Sequence, residues 1–125
     1  MTETTSRNAQ PEGLITAVVE ALENIKAQDI NVIDVTDKTN LMDTLVVASG
    51  TSKRHLSAII SSVAEDLKKQ GFQPQAQEGG TDSDWVLLDF TDLVLHVMMP
   101  ETRAYYDLER LWSGASPNQA EAQGD

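Results

Sequence analysis

The sequence lacks cysteine, and several other side chains that support familiar chemistry are scarce in it. Without a thiol the chain can form neither a disulfide framework nor a thiolate zinc site, and thiol redox chemistry is excluded. Its two histidines, His55 and His96, each stand without a second histidine at metal-ligand spacing, which excludes a histidine-rich metal site. No apolar run approaches the roughly 20 residues that span a bilayer, and residues 1–10 contain no apolar segment typical of an export signal. We therefore expect a cytoplasmic protein with no metal ion, cofactor or membrane contact.

Positive charge is also scarce, because 20 Asp and Glu residues face only 9 Lys and Arg residues and leave a net charge of −11. An acidic surface opposes binding to nucleic acid phosphates and to anionic lipid, so we expect no direct DNA binding and favour a basic protein partner. Residues 78–109 hold eight acids and a single base, Arg103, and so contribute −7 of the total. Acidic residues also keep small domains in solution, and charge alone leaves that simpler explanation open.

The 125 residues are enough for one domain with one hydrophobic core. Residues 1–10 are polar, and apart from Pro117 residues 113–125 contain no apolar side chain larger than Ala, a composition typical of disordered tails. We predict a folded domain of residues 11–112 between two disordered tails.

Apolar residues at helical spacing predict two amphipathic helices in the first part of the chain. The first covers residues 11–28, and the second starts after a cap at Thr51 or Ser52 and ends at Gly71, which can take the left-handed cap. Each helix has an apolar stripe that must pack against another element.

Five short runs bounded by polar turns predict β-strands. They are residues 30–35, 44–49, 72–77, 85–90 and 93–98. The second and third runs, with the helix between them, would form a βαβ unit with parallel strands. Only Thr91 and Asp92 separate the last two runs, which predicts an antiparallel hairpin. The sheet should therefore be mixed.

Pro100 opens a third predicted helix, in which Arg103 and Asp107, four residues apart, face each other as an ion pair. Its apolar residues are expected to share one face, and they are Tyr105, Leu108, Leu111 and Trp112. With this helix the fold class is α/β, a single mixed sheet of about five strands flanked by about three helices.

Residues 50–55, GTSKRH, lie at a strand-to-helix turn, where free backbone N–H groups can hold an anion. The segment lacks both GxxxxGK[ST] and GxGxxG, so an ordinary capped turn explains it better than a nucleotide site. Lys53 and Arg54 nevertheless stand in the first helical turn, where the helix dipole disfavours each base by roughly 0.3–1 kcal/mol. Local stability does not explain these bases, whereas a functional surface would.

Two groups of acids and hydroxyls resemble catalytic sites in part. Asp82 and Asp84 form a DxD pair before a strand, like the carboxylates that hold magnesium in nucleotidyltransferases, but no third carboxylate accompanies them. Ser52, Asp89 and His96 could be drawn as a triad, yet the sequence contains no GxSxG elbow. We interpret the two acids as solvated loop residues and His96 as a sheet residue bonded to a neighbouring acid.

Trp85 opens the strand WVLLDF, in which successive side chains point to opposite faces. Leu87 and Asp89 share the face of Trp85, and an acid on that face indicates partial exposure of the ring. A core position is the alternative, and the sequence leaves the two open.

Seven stretches match one known family of small proteins in their order and spacing. They are QDINVIDV (28–35), the loop to Asp43, SGTSKRHL (49–56), Glu78-Gly79, DWVLLDF (84–90), DLVLHVM (92–98) and ETRAYYDLERLW (101–112). Each stretch is a weak signal alone, whereas together they are specific. Over residues 29–112 the sequence resembles the ribosomal silencing factor family, also called Iojap-like.

The resemblance implies an α/β fold distantly like that of nucleotidyltransferases but without a catalytic site, and hence a protein that is not an enzyme. It implies binding to the large ribosomal subunit through its ribosomal protein number fourteen, a basic protein on the intersubunit face. Such binding would obstruct docking of the small subunit and repress translation, with the chain as a monomer or homodimer. The partner-binding residues that we expect, with Trp85 as the principal anchor, are Glu78, Trp85, Leu87, Asp89, Met98, Glu101, Tyr105 and Tyr106.

The sequence departs from this family in two places. Thr44 and Leu45 stand where relatives usually have an aromatic or other bulky residue, and Thr91-Asp92 replaces the usual Gly-Asp of the hairpin turn. Thr accepts a positive φ poorly, so this turn should be less favourable than that of the relatives.

Two alternatives from other functional classes stay open. The DxD pair would belong to a metal-dependent nucleotidyltransferase-like enzyme. The acidic segment would equally suit an adaptor for a basic partner other than the ribosome.

Overall fold

The computed structural model describes residues 13–112, which fold into one five-stranded sheet and four helices. In chain order the elements are α1 (Leu14–Asn24), β1 (Gln28–Asp34), β2 (Thr44–Ser49), α2 (Lys53–Lys69), β3 (Ala76–Glu78), β4 (Trp85–Asp89), β5 (Leu93–Met98), α3 (Pro100–Tyr106) and α4 (Leu108–Trp112). The predicted α/β class is confirmed, with one helix more than expected. The predicted tails, 1–10 and 113–125, lie outside the described residues. Within the described part, no helix has both the length and the apolar character needed to cross a membrane.

The strands lie in the order β1-β2-β5-β4-β3. β2 and β5 pair in parallel, from Thr44 opposite Leu93 to Ser49 opposite Met98, while the other three pairs are antiparallel. The mixed sheet and the β4-β5 hairpin predicted from the sequence are therefore confirmed. β2 and β3 run in the same direction, as the predicted βαβ unit requires, but β5 and β4 lie between them.

β3 is shorter than the predicted strand of residues 72–77 and covers only Ala76–Glu78. The N–H of Phe72 donates to the carbonyl of Leu67 at 2.9 Å and completes the end of α2. Pro74 has no N–H to give to a sheet ladder. The strand can therefore begin only after these residues.

The larger hydrophobic core lies between one face of the sheet and the helices α1 and α2. Ser52 caps α2, because its hydroxyl accepts the N–H of His55 at 3.0 Å. The ring of His55 ties the two helices together: Nδ1 accepts the N–H of Thr51 and Nε2 donates to the carbonyl of Ile25, each at 2.9 Å. The side chains that α2 buries are Leu56, Ile59, Ile60, Val63 and Leu67.

The opposite face of the sheet carries a smaller hydrophobic cluster. Its buried members are Ile33, Val35, Leu45, Val47 and Met98, and Met42, Trp85, Leu108 and Trp112 pack partly against them. On the half of this face formed by β3, β4 and β5, most side chains are exposed or half-buried. We call this half the open sheet face, and it is formed by Ala76, Glu78, Leu87, Asp89, Val94 and His96.

The C-terminal helix predicted as one element is broken into two. Asp107 adopts the left-handed conformation, with φ 48° and ψ 50°, and separates α3 from α4. The prediction that Tyr105, Leu108, Leu111 and Trp112 share one face is therefore wrong. Leu108 and Trp112 pack against the smaller cluster, whereas Tyr105 and Leu111 are 81% and 62% exposed.

Thr91 occupies a strained position in the turn between β4 and β5. Its φ is +78°, and the N–H of Asp92 donates to the carbonyl of Phe90 at 2.9 Å, which closes a γ-turn of the rare positive-φ type. Oδ1 of Asp89 accepts the N–H of Thr91 at 2.7 Å and helps to hold this conformation. A β-branched residue thus stands where glycine would be unstrained.

Candidate functional site

The open sheet face meets α3 at a cluster of rings. We call it the aromatic cluster, and its members are Trp85, His96, Tyr105 and Tyr106. The centroid of the Trp85 ring lies 4.9 Å from that of Tyr106, and Tyr105 and Tyr106 meet edge to face at 4.9 Å. Tyr106 is 54% exposed and Tyr105 more so, hence the cluster presents apolar ring surface to solvent.

Trp85 is half-buried, so its exposure lies between the partly exposed position and the core position that the sequence left open. It opens β4 opposite Met98 of β5 and packs partly against the smaller cluster. Its indole N–H donates to Nδ1 of His96 at 2.9 Å. The ring is thus held in one orientation while part of its surface remains available for contact.

His96 is neutral in this environment. Burial lowers its pKa to about 4, against a smaller opposing effect of the Asp89 carboxylate. Because Nδ1 accepts the bond from Trp85, the ring proton is assigned to Nε2. The prediction that His96 bonds to a neighbouring acid is wrong, since its partner is the indole.

Carboxylates stand around the aromatic cluster. Glu78 is exposed on β3 opposite Leu87 of β4, and Glu101 is exposed in the first turn of α3. Asp89 is half-buried on β4, where its carboxylate caps the γ-turn. Seven of the eight predicted partner-binding residues therefore lie on β3, the solvent-facing side of β4, or α3.

Met98, the eighth predicted contact residue, is fully buried. Its side chain belongs to the smaller cluster, opposite Trp85 in the sheet. The prediction of a surface contact by Met98 is therefore wrong, because the smaller cluster covers its side chain.

The catalytic alternatives are not assembled in the part of the chain that the structure describes. Oδ2 of Asp84 accepts the hydroxyl of Thr102 at 3.0 Å, and no group of three or more His, Asp or Glu side chains is placed to hold a metal ion among those residues. Ser52 uses its hydroxyl to cap α2, and His96 is engaged by the indole. The Ser52, Asp89 and His96 triad is therefore not formed.

The bases of the GTSKRH segment line a groove. Lys53 and Arg54 are exposed at the start of α2, and they share an open groove of about 560 Å³ with Thr81 and Asp82. The groove therefore holds an acid of opposite charge as well as the two bases, and no ligand follows from it.

A polar network that the sequence analysis missed joins α3 and α4 to the sheet. Nε and Nη2 of Arg103 donate to the two carboxylate oxygens of Glu109, each at 2.9 Å, and Nη1 donates to Oγ of Ser49 at 2.8 Å. Nδ2 of Asn31 donates to Oε2 of Glu109 at 2.9 Å. We call these four residues the Arg103 network, and it links β1, β2, α3 and α4.

Glu109 is ionised within this network. The hydrogen bonds from Arg103 hold the pKa of Glu109 below its ordinary value, burial opposes this effect, and the amide of Asn31 adds to it. The predicted pairing of Arg103 with Asp107 is wrong, because the break at Asp107 brings Glu109 to the guanidinium instead. The signal in the sequence was the isolation of Arg103 as the single base in residues 78–109.

Residues 7–125 match the sequence profile of the family described as "Ribosomal silencing factor during starvation". The chain belongs to this family. This match confirms the resemblance inferred from the order and spacing of the seven stretches, and it extends beyond residues 29–112.

Similar proteins and a solved structure agree with this assignment. The "Ribosomal silencing factor RsfS" of Chromobacterium violaceum is 43% identical over 100 residues, which are 80% of this chain and 82% of that protein. The Mus musculus protein "Mitochondrial assembly of ribosomal large subunit protein 1" is 39% identical over 102 residues, 79% of this chain and 45% of that protein. A crystal structure of a Chromobacterium violaceum protein has a TM-score of 0.79 at 40% identity, covering 86% of this chain and 90% of that chain.

Proposed function

We propose that this chain binds the large ribosomal subunit in the cytoplasm through ribosomal protein number fourteen, blocks docking of the small subunit and so represses translation. The proposal starts from membership of the ribosomal silencing factor family. It is supported by a relative whose name refers to assembly of a large ribosomal subunit.

The observation that carries the proposal is the half-buried ring of Trp85 beside the open sheet face. Interface energy concentrates in a few Trp, Tyr and Arg side chains with less important contacts around them. Trp85 and the two tyrosines of α3 provide such side chains on one surface. We call the open sheet face together with the aromatic cluster the docking surface.

The charge around the docking surface suits a basic partner. Glu78 is exposed on the open sheet face and Glu101 on α3, the helix of the two tyrosines, within a segment that carries −7. Complementary charge steers two proteins into contact and fixes their register. A basic ribosomal protein on the intersubunit face of the large subunit fits this requirement.

Obstruction of the small subunit needs binding but no catalytic step, so we propose that the chain is not an enzyme. The acid pair that suggested an enzyme is divided, since Asp84 bonds to Thr102 while Asp82 lines the groove beside Arg54. The docking surface is built from rings and single acids rather than from a nucleophile and its base.

Co-sedimentation with isolated subunits tests the proposal. The purified chain should sediment with large subunits and not with small subunits, and it should lower the yield of joined ribosomes. Equal binding to both subunits would contradict a specific site on the large one.

A competition experiment tests the assignment of the partner. Purified ribosomal protein number fourteen, added in excess, should release the chain from large subunits. If another basic ribosomal protein of similar charge releases it equally well, the assignment to number fourteen is wrong while binding to the large subunit stands.

A further inference from the structure

α3 carries the exposed tyrosines of the docking surface, yet it buries none of its own residues. Among its side chains only Thr102 and Arg103 are half-buried. Thr102 donates its hydroxyl to Asp84, and Arg103 donates to Ser49 and Glu109. Apolar packing by α3 therefore contributes little to its position, and directional polar bonds hold it.

Arg103 is the centre of these bonds. Its guanidinium contacts Glu109 with two nitrogens and Ser49 with the third, and its side chain is only 13% exposed. A bidentate pair of this kind fixes orientation as well as distance. Ser49 is 2% exposed, and its buried hydroxyl needs the hydrogen bond that Arg103 supplies.

The break at Asp107 makes this pairing possible. Arg103 and Glu109 are six residues apart, and on a continuous helix their side chains would point roughly 120° apart around the axis. The left-handed Asp107 ends α3 while its N–H still donates to the carbonyl of Arg103 at 2.9 Å. α3 and α4 therefore fold back around Arg103 as one unit.

We propose that Arg103 is a positioning residue of the docking surface: through Glu109 and Ser49 it fixes α3 so that Tyr106 lies against Trp85. This inference rests on the proposed function, because it concerns the same surface. Arg103 is enclosed by its own network and acts on the partner only through the rings. Rings held in their bound positions lose less conformational entropy on association, which raises affinity.

The test compares Arg103→Met with Arg110→Met. Met keeps the apolar stem of arginine but removes every donor. Arg110 is the matched control, because it lies on α4, its side chain is 63% exposed, and its ion pair with Asp107 is long, at 3.8 Å. Both variants change the net charge equally.

Three measurements are made on each variant. They are the nuclear Overhauser contacts between the rings of Trp85 and Tyr106, the affinity for isolated large subunits, and the melting temperature. Arg103→Met should lose the ring contacts and bind at least about tenfold more weakly, while the sheet still melts cooperatively because both hydrophobic clusters are intact. Arg110→Met should match the wild type in all three.

Retention of the ring contacts in Arg103→Met would overturn the proposal, as would loss of those contacts with unchanged affinity. If Arg103→Met does not fold, Arg103→Lys decides, because a single ammonium cannot reproduce the fork between Glu109 and Ser49. Partial loss of the ring contacts and of affinity in Arg103→Lys supports the proposal. Full contacts in Arg103→Lys, or failure of both variants to fold, makes Arg103 a general structural residue.

The ring contacts also separate this inference from the proposed function. If the wild-type chain does not bind large subunits, the proposed function fails. The nuclear Overhauser contacts of Arg103→Met can still be measured in that case, because they need no ribosomal subunit. They therefore decide independently whether Arg103 fixes the position of Tyr106.

Discussion

The indole N–H of Trp85 and Nδ1 of His96, on neighbouring strands of the open sheet face, share a hydrogen bond of 2.9 Å. The bond requires an imidazole without a proton at Nδ1. Burial keeps it so by lowering the pKa of His96 to about 4. The orientation of the Trp85 ring thus depends on the protonation state of His96.

Replacing His96 with Asn should reduce the sensitivity of the fold to acid. In the wild type the folded pKa of about 4 lies below the ordinary value of 6.5, so the unfolded chain takes up a proton that the folded chain resists. The stability linked to His96 is therefore complete above pH 6.5 and is lost as the pH falls toward 4. At about 1.4 kcal/mol per pH unit the loss approaches about 3 kcal/mol.

Urea denaturation at pH 7 and pH 4.5 measures this effect. The asparagine of His96→Asn keeps a side-chain acceptor near the position of Nδ1 but does not titrate. The free energy of unfolding of this variant should therefore change less between pH 7 and pH 4.5 than that of the wild type. The stability that the ionised Glu109 contributes to the fold is lost only as the pH falls further, toward the lowered pKa of this carboxyl. An equal loss in wild type and variant would assign the acid sensitivity to other groups.

Trp85→Ala should weaken binding to large subunits by about thirtyfold, or about 2 kcal/mol, while the domain stays folded. The ring packs against the smaller cluster and the other rings of the aromatic cluster, so the larger core remains to hold the sheet. Phe72→Ala is the control, because Phe72 is also half-buried but packs against the larger core. Melting temperature and affinity are measured on the same samples. A similar loss of affinity in Phe72→Ala would show that binding reports stability alone.

Glu78→Lys should slow association with large subunits by several-fold, because it reverses an exposed charge of the docking surface. The wild-type rate should also fall as salt is added, since exposed charges are screened over about 8 Å at physiological ionic strength. Glu65→Lys makes the same charge change on α2, which packs on the other face of the sheet. Stopped-flow measurements that show equal slowing in both variants would assign the effect to net charge.

Thr91→Gly should stabilise the protein by up to about 1 kcal/mol, because glycine adopts the observed φ of +78° without strain. Glycine loses more conformational entropy on folding than threonine, and this cost offsets only part of the stabilisation. Thr81→Gly, at an exposed loop position without positive φ, should be neutral or slightly destabilising. Thermal unfolding compares the two. Destabilisation by Thr91→Gly would mean that the entropy that glycine loses on folding outweighs the relief of backbone strain.

Elements with local signals were predicted closely from the sequence. β2 covers the predicted residues 44–49, since a continuous apolar run bounded by turns identifies a strand buried on both faces. Gly71 ends α2 with φ +95°, as its position after the last apolar residue indicated. Alternation along β4 also placed Leu87 and Asp89 on the face of Trp85.

Features that depend on distant partners were not predictable in the same way. The break at Asp107 brings Glu109 to Arg103, and Arg103 also bonds to Ser49, which is 54 residues away, so no local spacing carries the whole arrangement. Alternation gives the face on which Met98 lies but not the side chains that cover it. The length of β3 depended on how α2 ends at Phe72.

The pairing of β2 with β5 joins two parts of the sheet that are each local in sequence. One part is the antiparallel pair of β1 and β2, and the other is the run of β3, β4 and β5. Local antiparallel pairs form within about 1–10 μs, whereas the parallel ladder must first close the long segment between Thr44 and Leu93. Val47→Ala in this ladder is therefore expected to slow refolding in stopped-flow experiments, and an effect on the unfolding rate alone would contradict this. From the strand order we expect the meeting of the two parts of the sheet to set the folding rate.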